Sequence, residues 1–149
     1  MTVTQGGEVP PAAPRDGRRR LTPADPVRQI MTRQPVGVPR GATLREVAGE
    51  LADDEIGAVL VLSPGGPVGL ISERDLVGAV AAGDDLDDRQ VADLMSTDLV
   101  TARPGDTIAA VAALMDDAGV RHILVAEGAT VVGMVSIRDV LAVLVRSAW

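Results

Sequence analysis

Apolar residues along this chain follow two rhythms, and the whole arrangement occurs twice. Leu44, Val47, Ala48 and Leu51 recur at i, i+3, i+4 and i+7, and so do Ile108, Val111, Ala112 and Met115. That spacing predicts two helices, each burying one face. Thr43 and Thr107 stand where a hydroxyl caps a first turn, and Gly41 and Gly105 mark the turns before them. Nearly continuous apolar runs follow, at residues 58–62 and 68–72 in the first half and at 122–126 and 130–136 in the second. These predict paired strands joined by the turns at 63–67 and 127–129. Short extended pieces are expected at 36–38 and 100–102, helical turns at 26–31 and 91–95, and a last amphipathic helix from Glu73 and from Ile137. The predicted order is β-α-β-β-α, twice.

The duplication is visible residue by residue. Residues 27–82 align without a gap on 91–146 at an offset of 64, and fifteen of the 56 positions are identical. Val27 meets Val91, Met31 meets Met95, Leu60-Val61 meets Leu124-Val125, and Ser72-Glu-Arg74-Asp75 meets Ser136-Ile-Arg138-Asp139. Two copies predict a pseudo-twofold pair rather than an open array of repeats. The expected division is a disordered N-terminal tail at 1–25, repeat 1 at 26–83, a linker at 84–90 and repeat 2 at 91–149. The tail reading rests on Pro10, Pro11, Pro14, Pro23 and the cluster Arg18-Arg19-Arg20, with little apolar material to offset ordering entropy.

Composition then removes whole classes of chemistry. The 149 residues contain no Cys, Lys, Phe, Tyr or Asn, one His and one Trp, and their net charge is −7. Disulfides, thiol nucleophiles and thiolate metal sites are excluded, and one His cannot supply a multi-His metal set. Aromatic platforms for single-stranded nucleic acid are missing, and an acidic chain is poorly suited to duplex DNA. The apolar runs are far shorter than the roughly 20 residues a membrane helix needs, and no secretory signal is visible, so a cytoplasmic location is expected. No catalytic constellation converges in the pattern. The acidic runs at 53–55, 84–88 and 116–117 read as solvated charge rather than a metal site.

The chemistry that remains is concentrated at one junction in each copy. In Gly69-Leu-Ile-Ser72-Glu-Arg74-Asp75 and Gly133-Met-Val-Ser136-Ile-Arg138-Asp139, a strand that begins with Gly ends at Ser, and Asp follows in the first turn of a helix. Helix amides, a hydroxyl and an Arg suit an anion, and an ionised carboxylate suits two adjacent hydroxyls such as a ribose diol. Ser-x-x-Asp is equally a capping box, so both readings stand at this point.

These motifs, with Asp117-Ala-Gly119-Val120-Arg121-His122-Ile-Leu-Val125, resemble the tandem cystathionine-β-synthase (CBS) domain pair, also called a Bateman module, over roughly residues 26–146. The resemblance implies an α/β (α+β) fold of two pseudo-twofold repeats packed through their sheets, leaving two equivalent clefts for adenosine-type ligands such as AMP, ADP, ATP or another adenosyl compound. By that analogy Ser72 and Ser136 help hold phosphate, and Asp75 and Asp139 bind ribose hydroxyls. Main chain at Val36, Val38, Val100 and Ala102 borders the adenine, and Arg74, Arg138, Arg121 and His122 supply positive charge. Repeat 1 has Gly57 and Ala58 where repeat 2 has Arg121 and His122, so the clefts are expected to be unequal, with the second favouring more phosphorylated ligands. His122 also reads as a half-buried strand residue. The resemblance further implies a non-catalytic regulator that needs no cofactor and senses a nucleotide, free or Mg-bound, as a homodimeric four-repeat disc with or without a further protein partner. The Ala109, Ala110, Ala112 and Ala113 face and the apolar last helix fit such association. The Ala/Val/Gly/Arg/Asp bias resembles stand-alone stress-linked members of high-GC bacteria. The alternative is an interaction scaffold with degenerate clefts.

Overall fold

The computed structural model describes residues 19–53 and 56–147. Seven strands and four helices follow in chain order: β1 (Thr32–Arg33), β2 (Gly37–Pro39), α1 (Leu44–Asp53), β3 (Ala58–Ser63), β4 (Gly66–Ser72), α2 (Glu73–Ala81), β5 (Thr101–Ala102), α3 (Ile108–Ala118), β6 (His122–Glu127), β7 (Thr130–Ser136) and α4 (Ile137–Ser147). Apart from β1, this is the expected β-α-β-β-α order in duplicate. One sheet runs β2-β3-β4, the other β1-β7-β6-β5. In each, a short strand lies parallel to the first arm of an antiparallel hairpin.

The hairpin strands read as unbroken apolar runs because both of their faces are buried. Val59 and Val61 face a core shared with Leu44, Val47 and Leu51 of α1, and Ile123 and Val125 do the same with Ile108, Val111 and Met115 of α3. The alternate residues Ala58, Leu60, Leu124 and Met134 form a third cluster joining the two sheets. Gly119, at φ +66°, ends α3 in the left-handed conformation and turns the chain into β6.

The repeats exchange their leading segments. Val27 is fully buried in the core of repeat 2, with Ile30 and Met31 packed beside it, while Val91, Leu94 and Met95 fill the core of repeat 1. Val27 N–H donates to Asp106 O at 2.7 Å, and Val91 N–H donates to Ala42 O at 2.8 Å. The chain then crosses back. In doing so β1 pairs with β7, a strand absent from the expected pattern, and the matching stretch of the second copy makes a single bridge, Ser96 to Leu70. The two motif glycines make room for this crossing. A Cβ on Gly133 would lie 2.6 Å from Met31 Sδ and 3.0 Å from Thr32 O, and a Cβ on Gly69 would collide with Met95.

This exchange redraws two of the expected boundaries. Residues 19–25, assigned by composition to the tail, pack on repeat 2: Ile108 and Ala109 N–H donate to Asp25 and Pro23 O at 2.9 Å each. Asp25 is buried and accepts from Thr22 N–H at 2.8 Å and from Arg19. The linker does the same for α1, where Leu44 and Arg45 N–H donate to Arg89 and Leu86 O at 3.0 Å. The Arg45–Asp87 ion pair joins it to α1, and the Arg89–Asp84 pair lies within the linker itself. Tail end and linker are thus one element in two copies. Their backbone carbonyls cap helices, in segments that composition alone reads as loose. The remainder of the expected tail, residues 1–18, lies outside the described residues.

Small and apolar helix residues also divide differently from expectation. Ala109, Ala110 and Ala113 are exposed rather than closely packed. Val140 and Val143 are buried in the core of repeat 2, while Leu141 and Val145 on α4 and Val77 and Val80 on α2 stay in the open.

Candidate functional site

The two Ser-x-Arg-Asp junctions meet on opposite sides of one cleft of about 530 Å³ between the repeats, within the 300–1,000 Å³ typical of small-molecule sites. Among the described residues this space is continuous, so the two separate clefts implied by the resemblance are halves of a single opening. Leu70, Leu124 and Met134 give it an apolar floor.

Each junction is built in the same way. Asp75 Oδ2 accepts from Ser72 N–H at 2.8 Å and lies 3.0 Å from Ser72 Oγ, and Asp75 N–H donates back to that hydroxyl at 3.3 Å. The second copy repeats this at 2.9, 3.0 and 3.2 Å between Ser136 and Asp139. Both are capping boxes. Glu73 N–H further donates to Gly57 O at 2.9 Å, and Ile137 N–H donates to Arg121 O at 2.8 Å.

This geometry fixes how each motif is hydrogen-bonded. An ionised carboxylate only accepts, so each Ser hydroxyl donates to its Asp in this structure. Oδ1 of Asp75 and of Asp139 accepts nothing from the described residues, and both side chains are half-buried at the cleft wall. The same aspartate can therefore cap its helix through one oxygen and present the other to a diol.

Val36, Ser72, Arg74, Asp75, Val100, Arg121, His122, Ser136, Arg138 and Asp139 all line the cleft. Val38 and Ala102 do not. Their side chains are buried in the cores of repeats 1 and 2, on which Val36 and Val100 also pack from the cleft end of each short strand. The crossing segments add Gln34 and Asp98, equivalent under the offset of 64, and α2 adds Glu73. Gln34 holds φ at +53°, the one positive value at a non-glycine among the described residues. Nothing in its local sequence announces this, but its pairing with Asp98 in the self-alignment was a usable signal.

The two halves differ in charge. Repeat 1 contributes Glu73, Arg74 and Asp75, where repeat 2 contributes Ile137, Arg138 and Asp139 together with Arg121 and His122. The His122 imidazole is held below its ordinary range chiefly by burial and also by Arg121, against the pull of Asp139, Glu73 and Asp75. It is therefore neutral at pH 7.

Comparison with known proteins agrees with this fold. The CBS domain matches residues 27–82 and 91–146. An uncharacterised protein of Methanopyrus kandleri is 31% identical over 104 residues, which is 68% of this chain and 53% of that protein, so the chain spans about half the relative's length. A CBS-domain-containing protein of Agrobacterium tumefaciens has a crystal structure with TM-score 0.76 and 31% identity, covering 81% of this chain and 94% of that one. A CBS domain protein of Pyrobaculum aerophilum, solved in complex with AMP, has TM-score 0.72 and 33% identity, covering 83% and 98%. No described helix is long and apolar enough to cross a membrane. With the duplicated match spanning both halves of the fold, the chain belongs to the CBS-domain family.

Proposed function

We propose that this chain is a regulatory module that binds an adenosine nucleotide in the cleft between its repeats. The observation that carries the reading is the convergence of two half-buried aspartates, each with one carboxylate oxygen free, on one cleft that also holds Arg74, Arg121 and Arg138. An aspartate oxygen accepts from the ribose diol, and the apolar floor and the main chain at Val36 and Val100 take the base. Arginine holds the phosphate bidentately. The AMP complex of the Pyrobaculum relative supports the ligand class. Because the cleft is walled by both repeats, a bound nucleotide favours one relative orientation of the two, and that shift is what a partner would read.

The charge difference gives the reading a direction. The repeat 2 half holds Arg121 and Arg138 with Asp98 and Asp139, and the repeat 1 half holds Arg74 against Glu73 and Asp75. Calorimetry with AMP, ADP and ATP is expected to show tighter binding in the repeat 2 half. Arg121→Ala should weaken AMP about tenfold, the value of one charge-assisted hydrogen bond, while Arg74→Ala has the smaller effect. Two identical sites indifferent to Arg121→Ala would refute the asymmetry. Absence of heat or thermal shift with any adenosine nucleotide would refute the function and favour a ligand-free scaffold.

Homodimerisation through α2 and α4 is the second part of the proposal. Val77 and Val80 are 67% and 61% exposed, and Leu141 and Val145 are 49% and 57% exposed, an apolar stripe on pseudo-equivalent helices that a second copy can cover isologously. Light scattering is expected to give a dimer for the wild type and a monomer for Leu141→Arg. A wild-type monomer at micromolar concentration would overturn this part alone.

A further inference from the structure

His122 is the chain's one histidine, and its ring leaves its own repeat. The residue opens β6 opposite Ser136, yet a Cβ built on Gly57 of repeat 1 would lie 2.9 Å from its Nε2. The matching residue of repeat 1 is Ala58, buried and without a polar side-chain atom. One imidazole therefore stands where the two halves of the cleft meet, and nothing mirrors it. Arg121 on its own chain segment, Glu73 and Asp75 on α2 and Asp139 on α4 all act on it, and Arg74, Arg138 and Asp98 line the same cleft.

A neutral imidazole has one donor, and a protonated one has two and a full charge. The carboxylates around His122 are partly offset by the arginines, so no single fixed partner holds its proton. A phosphate dianion held by Arg121 and Arg138 would be such a partner. Resting on the nucleotide reading above, we propose that His122 makes phosphate recognition proton-linked: a nucleoside phosphate binds with uptake of one solvent proton onto the imidazole, whereas the nucleoside binds without it. The cleft then separates phosphorylated from unphosphorylated ligand more strongly below neutral pH than above it. Gly57 is the positioning residue, since only the absence of its Cβ lets the ring reach across the repeat boundary.

The sign follows from linkage. The free protein releases the proton at a pH below the ordinary histidine value and the complex releases it at a higher one, so affinity falls as pH rises between the two, by at most tenfold per pH unit for one proton. A single histidine gives a single imidazole Cε1–H resonance, which can be followed in untagged protein with saturating AMP, with adenosine and with neither. The midpoint is expected below 6.5 in the free protein, at least one unit higher with AMP, and unmoved by adenosine. In calorimetry across pH 6–8, the AMP affinity of His122→Gln should lose the excess pH dependence of the wild type, leaving only the ligand's own titration. Gly57→Ala displaces the end of a side chain rather than backbone, so it folds, and its AMP-induced midpoint shift should shrink. A midpoint unmoved by saturating AMP, or a pH slope retained in His122→Gln, overturns this inference and leaves nucleotide binding intact. Failure of both AMP and adenosine to bind the wild type overturns the nucleotide reading and this inference with it.

Discussion

A fragment cut at the edges of the sequence repeat, residues 27–82, is expected to remain unfolded, whereas residues 34–96 show cooperative unfolding. The first fragment carries Val27, Ile30 and Met31, which belong to the other core, and lacks Val91, Leu94 and Met95, which complete its own. Losing fully buried Val91 costs about 1.5–3 kcal/mol, and the two half-buried side chains add to it. Stability of a small domain is only about 5–15 kcal/mol in total, so the deficit is decisive. It also leaves Leu44 and Arg45 N–H without the carbonyls of Arg89 and Leu86. Far-UV circular dichroism with urea titration of the two fragments checks this. Equal stability of 27–82 and 34–96 would show that the exchanged segments contribute little to either core.

The second large effect is on binding. Asp139→Ala is expected to weaken AMP ten- to hundredfold, since a charge-assisted hydrogen bond is worth roughly 1.5–3 kcal/mol. The same change removes the acceptor of Ser136 N–H and Ser136 Oγ and lowers stability by about 1 kcal/mol as a lost cap. Asp139→Asn separates the two contributions: its amide oxygen still accepts at the cap, so stability is nearly kept, while the lost charge still weakens the diol contact. Asp75→Ala should cost less affinity than Asp139→Ala, because its half of the cleft lacks Arg121 and His122. Calorimetry and thermal melts of the three variants decide the matter, and unchanged AMP affinity in Asp139→Ala removes that residue from the site.

Much of the fold was legible because periodicity reports burial directly. The faces of α1 and α3, the hairpins β3-β4 and β6-β7 and the helix starts at Glu73 and Ile137 all follow from spacing that only one buried arrangement satisfies. The site was legible for a related reason. Ser and Asp three residues apart at a strand-to-helix junction have few geometries open to them, and both capping boxes formed. What failed to show were contacts between distant segments. Val38 and Ala102 lie two residues beyond Val36 and Val100, and all four touch the cores, but only Val36 and Val100 reach the cleft, a difference of depth that spacing does not report. Residues 19–25 look like tail because their prolines and charges carry no apolar rhythm, yet their carbonyls cap α3.

The sequence by itself determined the duplication, the order of elements, the charge that leaves Arg as the only strong cation, and the Ser-x-Arg-Asp motif in each half. These are local or self-referential properties, visible wherever a pattern repeats or a side chain bonds within a few residues. Only the tertiary structure decided that the repeats exchange their leading segments, and that Gly69 and Gly133 exist to admit Met95 and Met31. It alone brought both motifs to one cleft and carried His122 across to Gly57. Each of those depends on which surfaces meet across the pseudo-twofold, and pairing between surfaces far apart in the chain leaves no periodic trace in either one.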